Sequence, residues 1–120
     1  MRFFVFLSSV VILVSIVSSP GCFRNSPPEK PILLGPDTAK VGDTISIRVY
    51  TIDPEDQVVS YKVEWGDTTT PVWSFFFPSG ETIIRTHIYY SPGVYPVRTK
   101  AKDIDRGESD WSDTLKLKIN

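Results

Sequence analysis

Two groups of carboxylates are the residues of this chain best suited to chemistry. Their members are Asp53, Glu55 and Asp56 in one segment, and Asp103, Asp105, Glu108 and Asp110 in another. Calcium takes about six to eight oxygen ligands from clustered carboxylates and carbonyls. If both segments are loops at one end of a β-sandwich, the first group together with Asp103 and Asp105 could form a calcium site. The alternative is a solvated acidic surface, partly neutralised by Lys102 and Arg106.

Catalysis has little support in this sequence. His87 is the only histidine and Cys22 the only cysteine, whereas catalytic triads and most zinc sites need a set of such partners. Paired carboxylates could serve a glycosidase, but nothing in so small a chain supplies a cleft or a sugar-binding shell. We therefore predict that the protein is not an enzyme, and that His87 forms a hydrogen bond near a turn.

An aromatic stretch is the second candidate for ligand contact. It consists of Trp73, Phe75, Phe76 and Phe77 and is followed by a Pro-Ser-Gly turn. Because successive strand residues point to opposite faces, three consecutive phenylalanines cannot all face a core. Exposed aromatic surface is what sugar-stacking and protein-binding sites use. The alternative is that the stretch caps the open end of a small core.

Composition limits the class of protein. The 120 residues carry a formal net charge of -1, and 41% of them are hydrophobic, which predicts one globular domain. The sequence contains no Lys/Arg run of the kind that nucleic-acid surfaces need. We therefore expect no nucleic-acid partner.

The first 21 residues have the layout of a secretory signal peptide. Arg2 precedes an apolar run over residues 3–17, and small residues follow. A membrane span needs roughly 20 apolar residues, so this run is too short for one. Residues 1–21 are therefore predicted to direct the chain across the cytoplasmic membrane.

Cys22 follows the signal segment directly. Gly21-Cys22 resembles the lipobox of bacterial lipoproteins, although Ser19 and Pro20 depart from its pattern. The resemblance implies that acyl chains on Cys22 anchor the protein to a membrane, facing the periplasm or the cell exterior. The alternative is a free or intermolecularly paired thiol. Residues 22–30, which are rich in proline, are predicted to be the anchor cysteine and a semi-rigid spacer.

Residues 31–120 alternate apolar and polar side chains with period two, as half-buried strands do. Turn signals recur about every 8–12 residues, and no helical period appears. The pattern predicts an all-β, immunoglobulin-like β-sandwich of about seven strands. Trp65 is expected to anchor the core and residues 72–77 to form a short strand. Trp111 is expected to lie in the core and to begin the last strand.

Four short motifs along this region resemble the PKD domain family. They are Glu64-Trp65-Gly66-Asp67, His87-Ile88-Tyr89, Ser91-Pro92-Gly93-Val94-Tyr95-Pro96-Val97 and Ala101-Lys102-Asp103. Two positions depart from the pattern. Thr68 replaces a glycine, which predicts a different turn, and Pro96 must lie at an edge or a bulge.

The resemblance implies a non-catalytic, immunoglobulin-like domain outside a cell. Its expected role is a surface binding or spacer module that contacts a protein or a glycan. One alternative is a carbohydrate-binding module that uses the stretch from Trp73 to Phe77. Another is a purely structural cell-envelope lipoprotein.

Overall fold

Two β-sheets, built from seven strands, form the domain. The computed structural model describes residues 24–120, so the predictions for residues 1–21 and Cys22 lie outside the described residues. The strands are β1 (Ile32–Leu34), β2 (Thr38–Ala39), β3 (Thr44–Tyr50), β4 (Val59–Glu64), β5 (Ile83–Ile88), β6 (Gly93–Asp103) and β7 (Leu115–Ile119). One sheet has the order β1-β3-β5 and the other β2-β7-β6-β4. The prediction of an all-β, immunoglobulin-like sandwich is confirmed.

The core lies between the two sheets and follows the period-two pattern. Strand β3 buries Ile45, Ile47 and Val49, and the intervening residues face solvent. Alternation over residues 81–90 does not by itself distinguish the two faces of β5, and the structure buries Ile83 while Ile84 is 63% exposed. All the buried hydrophobic residues of the described chain lie between residues 45 and 119. Within residues 24–120, no helix is long and apolar enough to cross a membrane.

An aromatic stack closes one end of the core, at the corner that follows β4. The Trp65 ring lies flat on His87 at 4.6 Å, and Tyr89 meets His87 edge-on at 4.8 Å. The Tyr89 hydroxyl donates a hydrogen bond of 2.6 Å to the Trp65 carbonyl. Trp65 is half-buried and packs against the core. It therefore anchors the core from the edge.

The corner itself depends on Gly66 and Pro96. Gly66 has φ +82°, whereas Thr68 is not among the described residues with positive φ. Pro96 lies in β6 and pairs with Lys116 of β7. On the side of β6 that faces β4, the strand β4 has already ended at Glu64, and the Gly66 backbone lies against Pro96 there. Pro96 therefore lies where β6 needs no donor, as its missing N–H requires.

Two segments that were predicted as strands are instead held by serine side chains. Residues 72–77 make only two isolated bridges to β4, because Trp73 to Phe77 spans one residue more than Val59 to Lys62. The Ser74 hydroxyl accepts the Tyr61 N–H at 2.9 Å within this bulge.

The region before β7 is also held by serine hydroxyls instead of strand pairing. The hydroxyls of Ser109 and Ser112 accept the N–H groups of Ala101 and Thr99 at 2.9 and 3.0 Å. The last strand consequently begins at Leu115 instead of Trp111.

The segment predicted as a spacer contacts the domain. We call residues 24–31 the N-terminal strap. The Asn25 amide donates to Asp103 Oδ2 at 2.7 Å, and the Glu29 N–H donates to the Ile52 carbonyl at 2.9 Å. Proline favours an extended chain, and here that extended chain lies along the sandwich. Any free spacer is thus shorter than residues 22–30.

Two buried tyrosines give opposite expectations for removal of a hydroxyl. The Tyr61 hydroxyl is buried and forms no hydrogen bond of good geometry among the described residues. Burial raises the pKa of Tyr61 to about 12, although the nearby Thr51 backbone opposes the shift. We expect Tyr61→Phe to leave the free energy of unfolding unchanged or raise it by up to about 1 kcal/mol, and Tyr89→Phe to lower it by about 1 kcal/mol. Urea unfolding of residues 24–120 measures both. Equal losses in the two variants would contradict this.

Candidate functional site

The two groups of carboxylates meet at one end of the sandwich, which we call the acidic end. Asp53 follows β3, and Asp103 is the last residue of β6, opposite Val59 of β4. A hydrogen bond of 2.8 Å from Gln57 Nε2 to Asp105 Oδ2 links the two loops. The two loops therefore lie where the immunoglobulin-like topology predicts.

Asp53 is the most unusual group at the acidic end. It is 2% exposed, and its Oδ2 accepts the N–H groups of Glu55 and Gln57 at 3.0 and 3.1 Å. Its Oδ1 is buried and has no donor within residues 24–120. Burial raises the pKa of Asp53, and the negative charges of Asp103 and Glu55 add to the effect, although the two hydrogen bonds oppose it. The ionised carboxylate is thus incompletely compensated.

Asp103, by contrast, is fully engaged within the protein. Its Oδ1 accepts the N–H groups of Asp105 and Gly107 at 2.9 and 2.8 Å, and its Oδ2 accepts the Asn25 amide. The residue is completely buried. Asp103 therefore shapes the turn after β6 and holds the N-terminal strap.

The acidic end also contains uncompensated oxygens that are not carboxylates. Asn25 Oδ1 and Gln57 Oε1 are buried without a donor in the described chain, as is Asp53 Oδ1. In residues 24–120, no three Asp, Glu, His or Cys side chains are arranged to hold a metal by themselves. Any cation here would therefore need further oxygen ligands, such as these amide oxygens. The sequence prediction missed them because Asn25 lies 28 residues before Asp53, in a segment that looked like a spacer.

Glu55 and Asp56, which were also predicted as calcium ligands, have local structural roles. Glu55 Oε2 accepts the Ser26 N–H at 3.0 Å, which fastens the strap. Asp56 is exposed and adopts φ 58° in the turn after Pro54. Neither carries an uncompensated buried oxygen.

The aromatic stretch is divided between solvent and protein. Phe75 is 89% exposed and Phe76 41% exposed, whereas Phe77 is half-buried and packs against the core. Trp73 is also half-buried. The ammonium groups of Lys62 and Lys102 lie 4.8 and 4.6 Å from its ring centroid.

Trp73 belongs to a larger surface on the outer side of β4 and β6. We call it the cationic face, and its members are Lys62, Arg98, Lys100, Lys102, Trp73 and Trp111. The Arg98 guanidinium lies 4.0 Å from the Trp111 ring centroid, and the Lys100 ammonium lies 5.0 Å from it. Trp111, predicted to lie in the core, is therefore a half-buried residue of the outer surface. Sequence reasoning missed this face because β4 and β6 are far apart in the chain.

His87 lies at the opposite end of β4 from Asp53. Its Nε2 is 2.7 Å from Asp67 Oδ2, which agrees with the predicted hydrogen bond near a turn. Burial alone would raise the pKa of Asp67, but hydrogen bonds from Thr69 and His87 outweigh it and lower that pKa. Asp67 thus favours folding above the carboxylate's ordinary pKa, and this contribution is lost as the pH falls through its lowered value.

Comparisons with known proteins agree with this fold. No family model and no curated protein matches the chain. Among solved structures, the PKD domain of an M14-like peptidase from a Thermoplasmatales archaeon is 38% identical, with a TM-score of 0.76. The match covers 80% of this chain and 98% of that chain.

A second solved structure shares the fold. The PKD domain of the human VPS10 domain-containing receptor SorCS2 is 20% identical with a TM-score of 0.56, over 98% of this chain and 93% of that one. The archaeal structure consists almost entirely of the matched domain, which indicates that such a domain folds by itself. The sequence identity with the archaeal domain, and the share of that domain which is matched, show more than a common fold. The chain belongs to the PKD domain family.

Proposed function

We propose that this protein is a non-catalytic PKD module that is displayed outside the cell and held to a membrane by acyl chains on Cys22. The observation that carries the proposal is membership of the PKD family, joined to a signal-like segment that ends on the only cysteine. Two or three acyl chains give stable anchoring, whereas a single chain is marginal. The role that follows is contact with another surface molecule, or the spacing of such contacts.

The N-terminal strap refines this picture. Asn25 is hydrogen-bonded to the domain, so only Phe23 and Arg24 separate it from the proposed anchor at Cys22. An extended chain advances at most about 3.3–3.6 Å per residue. Acylation of Cys22 would therefore place the acidic end of the sandwich within roughly 10 Å of the membrane surface.

Detergent phase partitioning tests the anchor. We expect the full chain, expressed in a bacterial host that processes lipoproteins, to enter the detergent phase, because its acyl chains are apolar. Cys22→Ser should remain in the aqueous phase. Protease added to intact spheroplasts should degrade the protein if the domain faces outward. A wild-type protein that stays aqueous, or one protected inside spheroplasts, would contradict the proposal.

Calcium binding at the acidic end is a second candidate function. Buried oxygens of Asp53, Asn25 and Gln57 lack donors within residues 24–120, and oxygens of this kind are the ligands that calcium prefers. A bound cation would also compensate the buried charge of Asp53. Of the five residues predicted as ligands, Asp53 is the one with a free buried oxygen.

A calcium titration of the melting temperature tests this candidate. Extracellular modules bind calcium with dissociation constants of roughly 0.1–1 mM, so about 10 mM calcium should stabilise residues 24–120 by roughly 1–3 kcal/mol. That corresponds to a rise in melting temperature of at least about 4 °C.

Asp53→Asn is the matched variant for the titration. An amide oxygen at this position can still accept the N–H groups of Glu55 and Gln57, so the calcium-free variant should be about as stable as the wild type. Its response to calcium should be lost. No response in the wild type, or the same response in both proteins, would exclude this site.

The alternative functions differ in what they require of the surface. A carbohydrate-binding role for Trp73–Phe77 is favoured by the 89% exposure of Phe75, since sugar rings stack on accessible aromatic faces. A purely structural envelope lipoprotein would need no accessible ligand surface. Binding of a glycan that is weakened by Phe75→Ala would favour the first alternative over the second.

A further inference from the structure

We propose that the cationic face binds an acidic polysaccharide. The inference rests on the proposed function, because it names the class of partner for a surface binding module. The face lies on the outer side of the four-stranded sheet, whose strand order is β2-β7-β6-β4.

Cations outnumber carboxylates on this face. Arg98 Nε lies 2.7 Å from Glu64 Oε1, and Lys100 Nζ lies 3.1 Å from Glu108 Oε1. Lys62 and Lys102 have no carboxylate within salt-bridge distance among the described residues; both lie over the Trp73 ring. The face is thus net positive, although the whole chain has a formal charge of -1. An anionic partner would complete the pairing.

This arrangement is unfavourable for folding alone. Lys62 of β4 lies directly opposite Lys100 of β6, and like charges in directly opposed positions destabilise a sheet. The cation–π contacts with Trp73 and Trp111 offset part of this cost. They also hold the long side chains in place, which reduces the entropy lost when a ligand binds.

The shape of the face favours an extended polymer. Trp73 lies beside β4 and Trp111 beside β6, with the cations between them. Three strand spacings of about 4.8 Å, or roughly 14 Å, separate the backbone segments that carry the two tryptophans. A polysaccharide that crosses the strands would meet an indole, then ammonium and guanidinium groups, then a second indole. Carboxylates spaced along such a polymer can pair with the cations.

A lipid surface fits this face less well. Interfacial binding needs apolar side chains that insert beneath the headgroups, whereas both indoles are half-buried and held by cations. A nucleic acid would bind through its phosphate backbone. Its binding would depend on salt and would not distinguish a charged sugar oligomer from other polyanions. Both therefore become competing outcomes of the experiment.

Titration of ¹⁵N-labelled residues 24–120 with an oligogalacturonate tests the proposal. We expect saturable shifts in β4, in β6 and in the indole N–H signals of Trp73 and Trp111. A neutral glucose oligomer of equal length should cause none. Binding should weaken at least about tenfold between low and high salt, since paired charges at the surface are screened.

Two charge-matched double variants give the control. Lys62→Gln with Lys102→Gln should weaken binding at least about tenfold. Lys62→Arg with Lys102→Arg keeps both charges and should bind about as well as the wild type. Arg48→Gln with Lys40→Gln removes the same charge from exposed positions of the other sheet and of the loop before β3 and should weaken it less than about threefold.

Three results would overturn the proposal. They are absence of saturable binding to the oligogalacturonate, equal losses in the two glutamine pairs, and equal or tighter binding to anionic vesicles or single-stranded DNA. None of them bears on the anchor, because detergent partitioning measures Cys22 separately. If the protein partitions into detergent but does not bind the oligogalacturonate, the proposed function stands and the inference about the cationic face is wrong.

Discussion

Replacing Gly66 by alanine is expected to lower the free energy of unfolding by roughly 3 kcal/mol or more. A non-glycine residue at φ +82° costs about 1–2 kcal/mol by itself. The new Cβ would also lie 2.7 Å from Pro96 Cδ, 2.7 Å from Pro96 O and 2.9 Å from Pro96 N. These are backbone and ring atoms of a residue fixed by its pairing with Lys116. One side must therefore move, and overpacking of this kind costs about 1–3 kcal/mol more.

Gly80 provides the control for Gly66. Its φ is +83°, yet a Cβ built there meets nothing within 4 Å. Gly80→Ala should therefore show only the backbone cost of about 1–2 kcal/mol. Urea unfolding of residues 24–120 measures both variants. If the two losses agree, the contact between Gly66 and Pro96 does not determine the corner.

Replacing Asp103 by alanine should be comparably damaging. The substitution leaves the N–H groups of Asp105 and Gly107 without their acceptor and releases the Asn25 amide. Each unsatisfied buried group costs about 1–3 kcal/mol, so a loss of roughly 3 kcal/mol is expected. The N-terminal strap should loosen at the same time, which amide exchange at Glu29 would detect.

Asp105→Ala is the matched control for Asp103. Asp105 is exposed, and within residues 24–120 its carboxylate accepts only the Gln57 side chain. A loss of about 0.5 kcal/mol or less is expected. Both variants should be measured in the presence of a chelator, so that calcium does not contribute. If Asp103→Ala proves equally mild, Asp103 does not organise this turn.

The strands were predictable because a sheet with one buried face forces period-two alternation. Ile45, Ile47 and Val49 show this pattern, and the structure buries all three. The prediction of an edge or a bulge for Pro96 holds only locally: β6 is an inner strand of its sheet, but Pro96 lies beyond its last pair with β4, Glu64 with Arg98. Local chemistry of this kind acts over a few residues, so it can be read from the chain.

The remaining features depend on contacts between distant segments. The strap forms because Asn25 meets Asp103, and no local pattern reports such a pairing. Residues 72–77 do not form a continuous strand, because a one-residue bulge at Ser74 interrupts their pairing with β4. Trp111 joins Arg98 on the outer face through a register that only the folded sheet defines. The cationic face is invisible in the sequence for the same reason.

Anchoring through Cys22 is the claim on which the proposed function depends most. Intact mass spectrometry of the protein extracted from membranes measures it directly. We expect the mass of a chain that begins at Cys22, increased by two or three acyl chains. The mass of an unmodified chain, with whichever first residue, would contradict the anchor and leave a PKD domain without this membrane attachment.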